Sequence, residues 1–97
     1  MQVINIKKLH DYCFDHADAR EAVSSWLEEA KRAVWRTPQD IKDRYQHASI
    51  LEGNRVIFNI KGNDHRLEVR VKYKNGIVFI EWIGTHAEYD KRNHKRG

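Results

Sequence analysis

The sequence predicts an α+β fold: N-terminal helices packed on one face of a small, mainly antiparallel sheet, with a short C-terminal helix. Apolar residues recur at intervals of three and four before Gly53 and alternate after it. The alternating half carries two turn signals, Gly62-Asn63 and Asn75-Gly76. At 97 residues the chain has room for one core, so one domain spanning residues 1–97 is expected.

Residues 2–4, "QVI", read as a short strand, and Asn5 as the cap of a short helix burying Ile6, Leu9 and Cys13. From Ala19 to Val34 an apolar stripe of Ala22, Val23, Trp26, Leu27 and Ala30 marks a longer amphipathic helix, with Asp18 and Glu21 spaced as a capping box. "RTPQD" sets Thr37 at a cap and Pro38 at the first helical position, where the missing N–H costs nothing, so a third helix should run to Tyr45. Three strands follow, Arg55–Lys61, His65–Lys74 and Gly76–Ile83, and then a polar tail after Asp90.

The turns fix an expected register. With Gly62 and Asn63 as loop residues, Phe58 faces Leu67, Val56 faces Val69 and Asn59 faces Arg66. With Asn75 and Gly76 as the second loop in a type I′ turn, Arg70 faces Glu81 and Arg66 faces Thr85. One face then carries Val56, Phe58, Leu67, Val69, Val71, Tyr73, Val78, Ile80 and Trp82, the surface on which the Trp26 helix should dock. The other gathers Asn59, Lys61, Arg66, Arg70 and Lys72 beside Phe79 and Ile83.

Charge is unevenly shared. Residues 1–54 hold eight Lys/Arg against nine Asp/Glu, and residues 55–97 hold ten against five, which places the net +4 in the sheet half. A basic face attracts nucleic acid or an acidic partner. No apolar stretch is long enough to cross a bilayer and the N-terminus has no secretory pattern, so the protein is expected in the cytoplasm, off the membrane. The single cysteine, Cys13, sits among apolar neighbours and reads as a core residue.

No HExxH is present, one cysteine rules out cysteine-rich zinc sites, and "HAE" lacks the Pro-Cys-x-x-Cys of zinc deaminases; no metal or other cofactor is expected. Nor does a Gly-rich loop precede a helix, which argues against nucleotide hydrolysis. Metal-free RNA cleavage remains: a ribose 2′-hydroxyl attacks its own phosphate, helped by a proton-transfer group and by cations on the phosphoryl oxygens. His86 can move a proton, Arg66 and Lys61 can hold phosphate, and Tyr89 can stack on a base or donate a hydrogen bond. Each has a plainer role available. Arg70 can simply pair with Glu81, Asn59 can serve the turn, Asp90 can favour a helix N-terminus, His86 can be a surface histidine and Tyr89 a packed one.

"VIFNIKGNDHRLEVRVKY" followed by "FIEWIGTHAEYDK", over roughly residues 55–91, resembles the HigB-type toxins of type II toxin-antitoxin modules, members of the RelE superfamily. "AVWRTPQDIK" is similar, more loosely, to that family's helix connection. The resemblance implies a RelE-like fold and a ribosome-dependent, metal-independent mRNA endonuclease masked by a HigA-type antitoxin. It points to Arg66 on the central strand as a holder of the scissile phosphate, and to His86, Tyr89 and Asp90 after the last strand as the rest of the site. Lys61, Asn59, Arg70 and Lys91 fall in as RNA contacts, and His65, where tyrosine is frequent in similar sequences, as a second proton-transfer group or a turn substitution. Glu68 departs from an otherwise mostly apolar strand pattern. Two other functions fit the residues: a toxin of the same fold that binds DNA gyrase, and a non-catalytic RNA- or ribosome-binding module using Phe79 and Tyr89.

Overall fold

A computed structural model describes residues 1–96, with side chains through Arg92. In chain order the elements are β1 (Gln2–Ile4), α1 (Lys7–Asp15), a 3-10 turn (Ala17–Ala19), α2 (Arg20–Arg32), α3 (Pro38–Arg44), β2 (Ser49–Leu51), β3 (Arg55–Ile60), β4 (His65–Lys72), a 3-10 turn (Tyr73–Asn75), β5 (Ile77–Thr85) and α4 (His86–Arg96). The strands form one mixed sheet in the order β1-β5-β4-β3-β2, with β1 parallel to β5 and the remaining pairs antiparallel. This is the α+β architecture expected of a RelE-like chain.

The α2 stripe buries Val23, Trp26, Leu27 and Ala30. The Trp26 ring meets Phe58 edge-on, 5.3 Å between centroids, and Trp35 and Tyr45 close on the same phenyl ring from α2's far end and from α3. Val56, Phe58, Leu67, Val69, Val71, Val78 and Ile80 are fully buried beneath. Hydrophobic burial on one sheet face therefore holds the helices in place.

Helix starts divide into one expected cap and two that differ. Thr37 accepts from the Asp40 N–H while Asp40 accepts from the Thr37 N–H, a complete capping box with Pro38 inside it. Asp18 caps neither the 3-10 turn nor α2; its carboxylate faces His65 and Lys61 instead. Asn5 is not a side-chain cap either. It adopts φ 74° and its amide donates to the Ile80 carbonyl at 3.0 Å, tying the β1–α1 corner to β5. Asn tolerates that left-handed backbone better than most residues. The strand at Ser49–Leu51 was not expected, and the segment after Asp90 continues as helix.

The β3–β4 register is the expected one, Val56 opposite Val69, Phe58 opposite Leu67 and Asn59 opposite Arg66. The β4–β5 register is not. Only Gly76 of the Asn75-Gly76 pair has positive φ, so no type I′ turn forms; a 3-10 turn capped by left-handed Gly76 joins Lys72 to Ile77, and Arg70 faces Phe79. A β-bulge then places Glu68 opposite Trp82 while Val69 stays opposite Ile80, so Glu81 is the extra residue and Arg66 faces Gly84. An added residue reverses the alternation beyond it. Trp82 consequently lies on the open face with Glu68, whereas Ile83 turns to the helix side and packs on the core, the reverse of the expected assignment.

Candidate functional site

The open face has one buried acid. Glu68 is 4 % exposed, and its carboxylate accepts from Arg92 Nη1 at 2.7 Å with Arg55 Nη1 at 3.9 Å. Arg92 also lies over the Trp82 ring, 4.7 Å from its centroid, and Trp82 neighbours Tyr89 at 6.2 Å. The departure at Glu68 thus has a structural reason: it is the anchor against which α4 docks. The helix begins on a second device. Thr85 Oγ1 accepts from the Glu88 N–H, and Glu88 Oε1 accepts from the Thr85 N–H at 2.8 Å. That N–H donor holds the Glu88 carboxyl below its ordinary range. A Cβ on Gly84, the residue before the cap, would come within 2.5 Å of the Trp82 ring.

Two hooks therefore fix α4, and it carries His86, Tyr89, Asp90 and Lys91 to the end of the sheet. The His86 N–H donates to the Asp64 carbonyl at 2.9 Å, and its Nε2 lies 3.1 Å from Asp90 Oδ2 one helical turn on. Asp90 and Lys91 are exposed, Tyr89 half-buried. The turn that receives His86 also holds Arg66. The Arg66 guanidinium donates to the Asn63 carbonyl at 2.9 Å, to Asn63 Oδ1 at 3.1 Å and to the His65 carbonyl at 3.2 Å, and it lies 5.9 Å from the Tyr89 ring centroid. Those bonds use three of its five N–H groups. Among the described residues no carboxylate pairs with it. Arg66 and His86 thus meet at the Lys61–Asp64 turn, with Tyr89 against Arg66 and Asp90 against His86, and a cleft of about 480 Å³ lined by His16, Asp18, Asn63, Asp64, His65 and His86 runs along it.

Other expected contacts fall elsewhere. His65 is 3 % exposed, on the helix side of β4. Its Nε2 donates to Asp18 Oδ2 at 2.9 Å, since a carboxylate only accepts, and Nδ1 lies 2.5 Å from the Tyr12 hydroxyl. Both nitrogens are thus engaged by partners within the fold, at the inner side of the cleft that His86 also lines. The bond from His65 lowers the Asp18 carboxyl, and burial first of all raises the Tyr12 hydroxyl. His16 stacks on Tyr12 at 4.0 Å and completes the cluster. Lys61 stands 3.5 Å from Asp18. Arg70 pairs with Glu81 at 3.1 Å although the strands are not in the expected register, because the bulged Glu81 reaches back to it. Asn59 is exposed, opposite Arg66 on β3.

Three residues of the site escaped the sequence reading. Thr85 and Glu88 have the spacing of a capping box and were legible by that signal. Asn63, which holds Arg66, had none beyond its place in the turn. Among the described residues no group of three or more His, Cys, Asp or Glu side chains is set to hold a metal, and no helix is long and apolar enough to cross a membrane.

Residues 19–92 fit the profile described as HigB toxin, RelE-like toxic component of a toxin-antitoxin system, and no curated protein matches the chain.

Proposed function

Because the chain belongs to the HigB family of RelE-like toxins, a toxin whose counterpart is an antitoxin, we propose that it is a metal-independent endoribonuclease acting on translated mRNA at the ribosome, in the cytoplasm, and masked by a HigA-type antitoxin. The observation that carries this reading is Arg66 with two uncommitted N–H groups beside a turn that also receives His86. A planar guanidinium with two adjacent donors suits the oxygens of a phosphodiester, and its charge stabilises the extra negative charge of a pentavalent phosphorane.

In the proposed reaction the ribose 2′-oxygen bonds to phosphorus, the bond to the 5′-oxygen breaks, and a 2′,3′-cyclic phosphate and a 5′-hydroxyl result. The 2′-hydroxyl proton leaves to a base and the 5′-oxygen gains one from an acid. His86 is the proton-transfer group, with its ring oriented by Asp90 through Nε2. Tyr89, fixed against Trp82, faces the Arg66 cation and offers its hydroxyl and ring to the nucleotide. Asn59, Lys61, Lys91 and, by its charge, Arg70 flank the path of the RNA backbone.

The test is induced expression in bacteria of the wild type and of His86→Ala, with primer extension on an abundant message. New cuts with the wild type alone are expected. Growth arrest without cuts would direct attention to another target such as DNA gyrase and overturn the nuclease reading. Toxin treated with EDTA and then freed of the chelator should cut message on Mg2+-containing purified ribosomes as well as untreated toxin does; loss restored by incubating the toxin with a transition-metal ion would overturn the metal-free chemistry.

A further inference from the structure

A second cavity lies beside the turn that holds Arg66, and the scheme above gives it no role. It measures about 610 Å³ and lies at the outer edge of β3. β2 starts only at Ser49, opposite Ile57, so the next residues of β3, Phe58 and Asn59, have no strand beside them on that side. Arg44, Tyr45 and His47, from the end of α3 onward, form one wall; Asn59 and Asn63 form the other, with Phe58 at the back.

We propose that this cavity receives one nucleobase of the RNA next to the phosphate held at Arg66, and that it contributes the base preference of cleavage; the inference rests on the nuclease reading above. Four observations support a nucleobase. The volume falls within the range of small-ligand pockets. Tyr45 is a fixed aromatic group in the wall: its hydroxyl donates to Glu29 on α2, its ring is set edge-on against Phe58 at 5.0 Å and Trp35 at 6.2 Å, and the Arg44 guanidinium lies over it at 5.1 Å, a planar cation that also stacks on bases. Single-stranded RNA is read by such rings together with amide groups on base edges; Asn63, in the turn, supplies a side-chain amide, and Asn59 lines the open strand edge. Asn63 also accepts from Arg66, so the cavity and the phosphate-holding cation share a residue. Glu29 is the acid at this wall, and it is engaged by both Arg44 and Tyr45. A protein strand is the weaker candidate, because the open stretch of β3, Phe58 to Ile60, is shorter than most strand pairings.

The experiment follows backbone amide shifts of Ala48, Asn59, Gly62 and Asn63 by NMR while 5′-AMP, 5′-GMP, 5′-CMP or 5′-UMP is added, with inorganic phosphate as a control. Base-dependent shifts at these amides, absent with phosphate, are expected, and Asn59→Ala should weaken the preferred nucleotide about tenfold. Equal shifts with phosphate would mean an anion site, and no shifts with millimolar nucleotide would mean no base site; either overturns the proposal. So would shifts produced only by the cognate antitoxin, which would assign the cavity to the protein partner. In cells, His47→Ala combined with Asn59→Ala should redistribute the cuts among bases. An absence of cuts by the wild type would overturn the nuclease reading, while the titration would still decide whether a base enters the cavity.

Discussion

Arg92 on α4 donates to Glu68 on β4 across 2.7 Å, and so joins the helix that carries His86 and Tyr89 to the central strand that carries Arg66. The acid is buried, while the arginine lies on an indole ring and remains 29 % exposed, so the pair is shielded from water mainly on the side of Glu68. A buried charge that loses its partner is costly, which makes this contact a coupling between stability and the geometry of the site.

Arg92→Ala should therefore lower stability by about 3 kcal/mol, the low end for a broken buried pair because Arg55 stays within 3.9 Å of Glu68. It should also reduce cleavage, since α4 loses one of its two hooks. Urea denaturation and primer extension on the same variant check both. A destabilised Arg92→Ala that cuts like the wild type would mean that the Thr85–Glu88 cap alone positions the helix.

Arg66→Ala should abolish cleavage and leave the fold intact. The residue is half-buried on the open face, and its bonds are to its own turn. Arg66→Lys should fail nearly as completely, because an ammonium offers no planar pair of donors to the phosphate. Thermal melting beside the cutting assay separates a lost site from a lost fold; a collapse of Tm in either variant would contradict the placement of Arg66.

Trp82→Ala should cost less than Phe58→Ala despite the larger side chain removed. Phe58 is fully buried under Trp26, Trp35 and Tyr45, and its truncation should cost about 3 to 5 kcal/mol. Trp82 is half-buried beneath α4 and should cost about 1 to 2 kcal/mol, well below the range for buried aromatic rings. Cleavage should still suffer in Trp82→Ala, because Tyr89 and Arg92 lose their support. Equal destabilisation by the two substitutions would place Trp82 in the core after all.

Acid should loosen the fold through three carboxylates. Asp18, Glu29 and Glu88 are all depressed, by bonds first of all from His65, Tyr45 and the Thr85 N–H. A depressed group stabilises the folded state above its unfolded value, about 4, and that contribution is lost as pH falls through the folded value. The urea midpoint should accordingly fall from about pH 5 downward. Glu88→Gln should flatten part of that slope, and an unchanged slope would show that the cap contributes nothing to it.

The helices and the β3–β4 hairpin were legible because a single signal governed each. Apolar spacing governed α2, Thr37-Pro38 governed α3, and Gly62-Asn63 gave a register that every observed β3–β4 pair follows. The β4–β5 hairpin was not, because Asn75-Gly76 suits more than one turn and the bulge at Glu81 leaves no local mark in the sequence. β2 was missed because three residues give too short an alternation to register. In the candidate site, Tyr89 lies against Arg66 and Asp90 against His86, whereas the partners that enclose His65 were not legible. A histidine beside a turn gives no hint that Tyr12 and Asp18, from distant segments, will close over it.

Glu81 acts on β5 as a change of phase. Upstream of it, the strand answers to the helices, burying Val78 and Ile80; downstream, the parity is reversed, and the same strand lays Trp82 beneath α4. Were Glu81 paired in the ladder instead of bulged out of it, the alternation would run on unbroken and the indole would fold inward against a full core. α4 would then begin on the wrong side of the sheet, with His86 turned from Arg66. The irregularity that hides the register from the sequence is thus what allows one strand to serve two masters, a core at one end and a surface at the other.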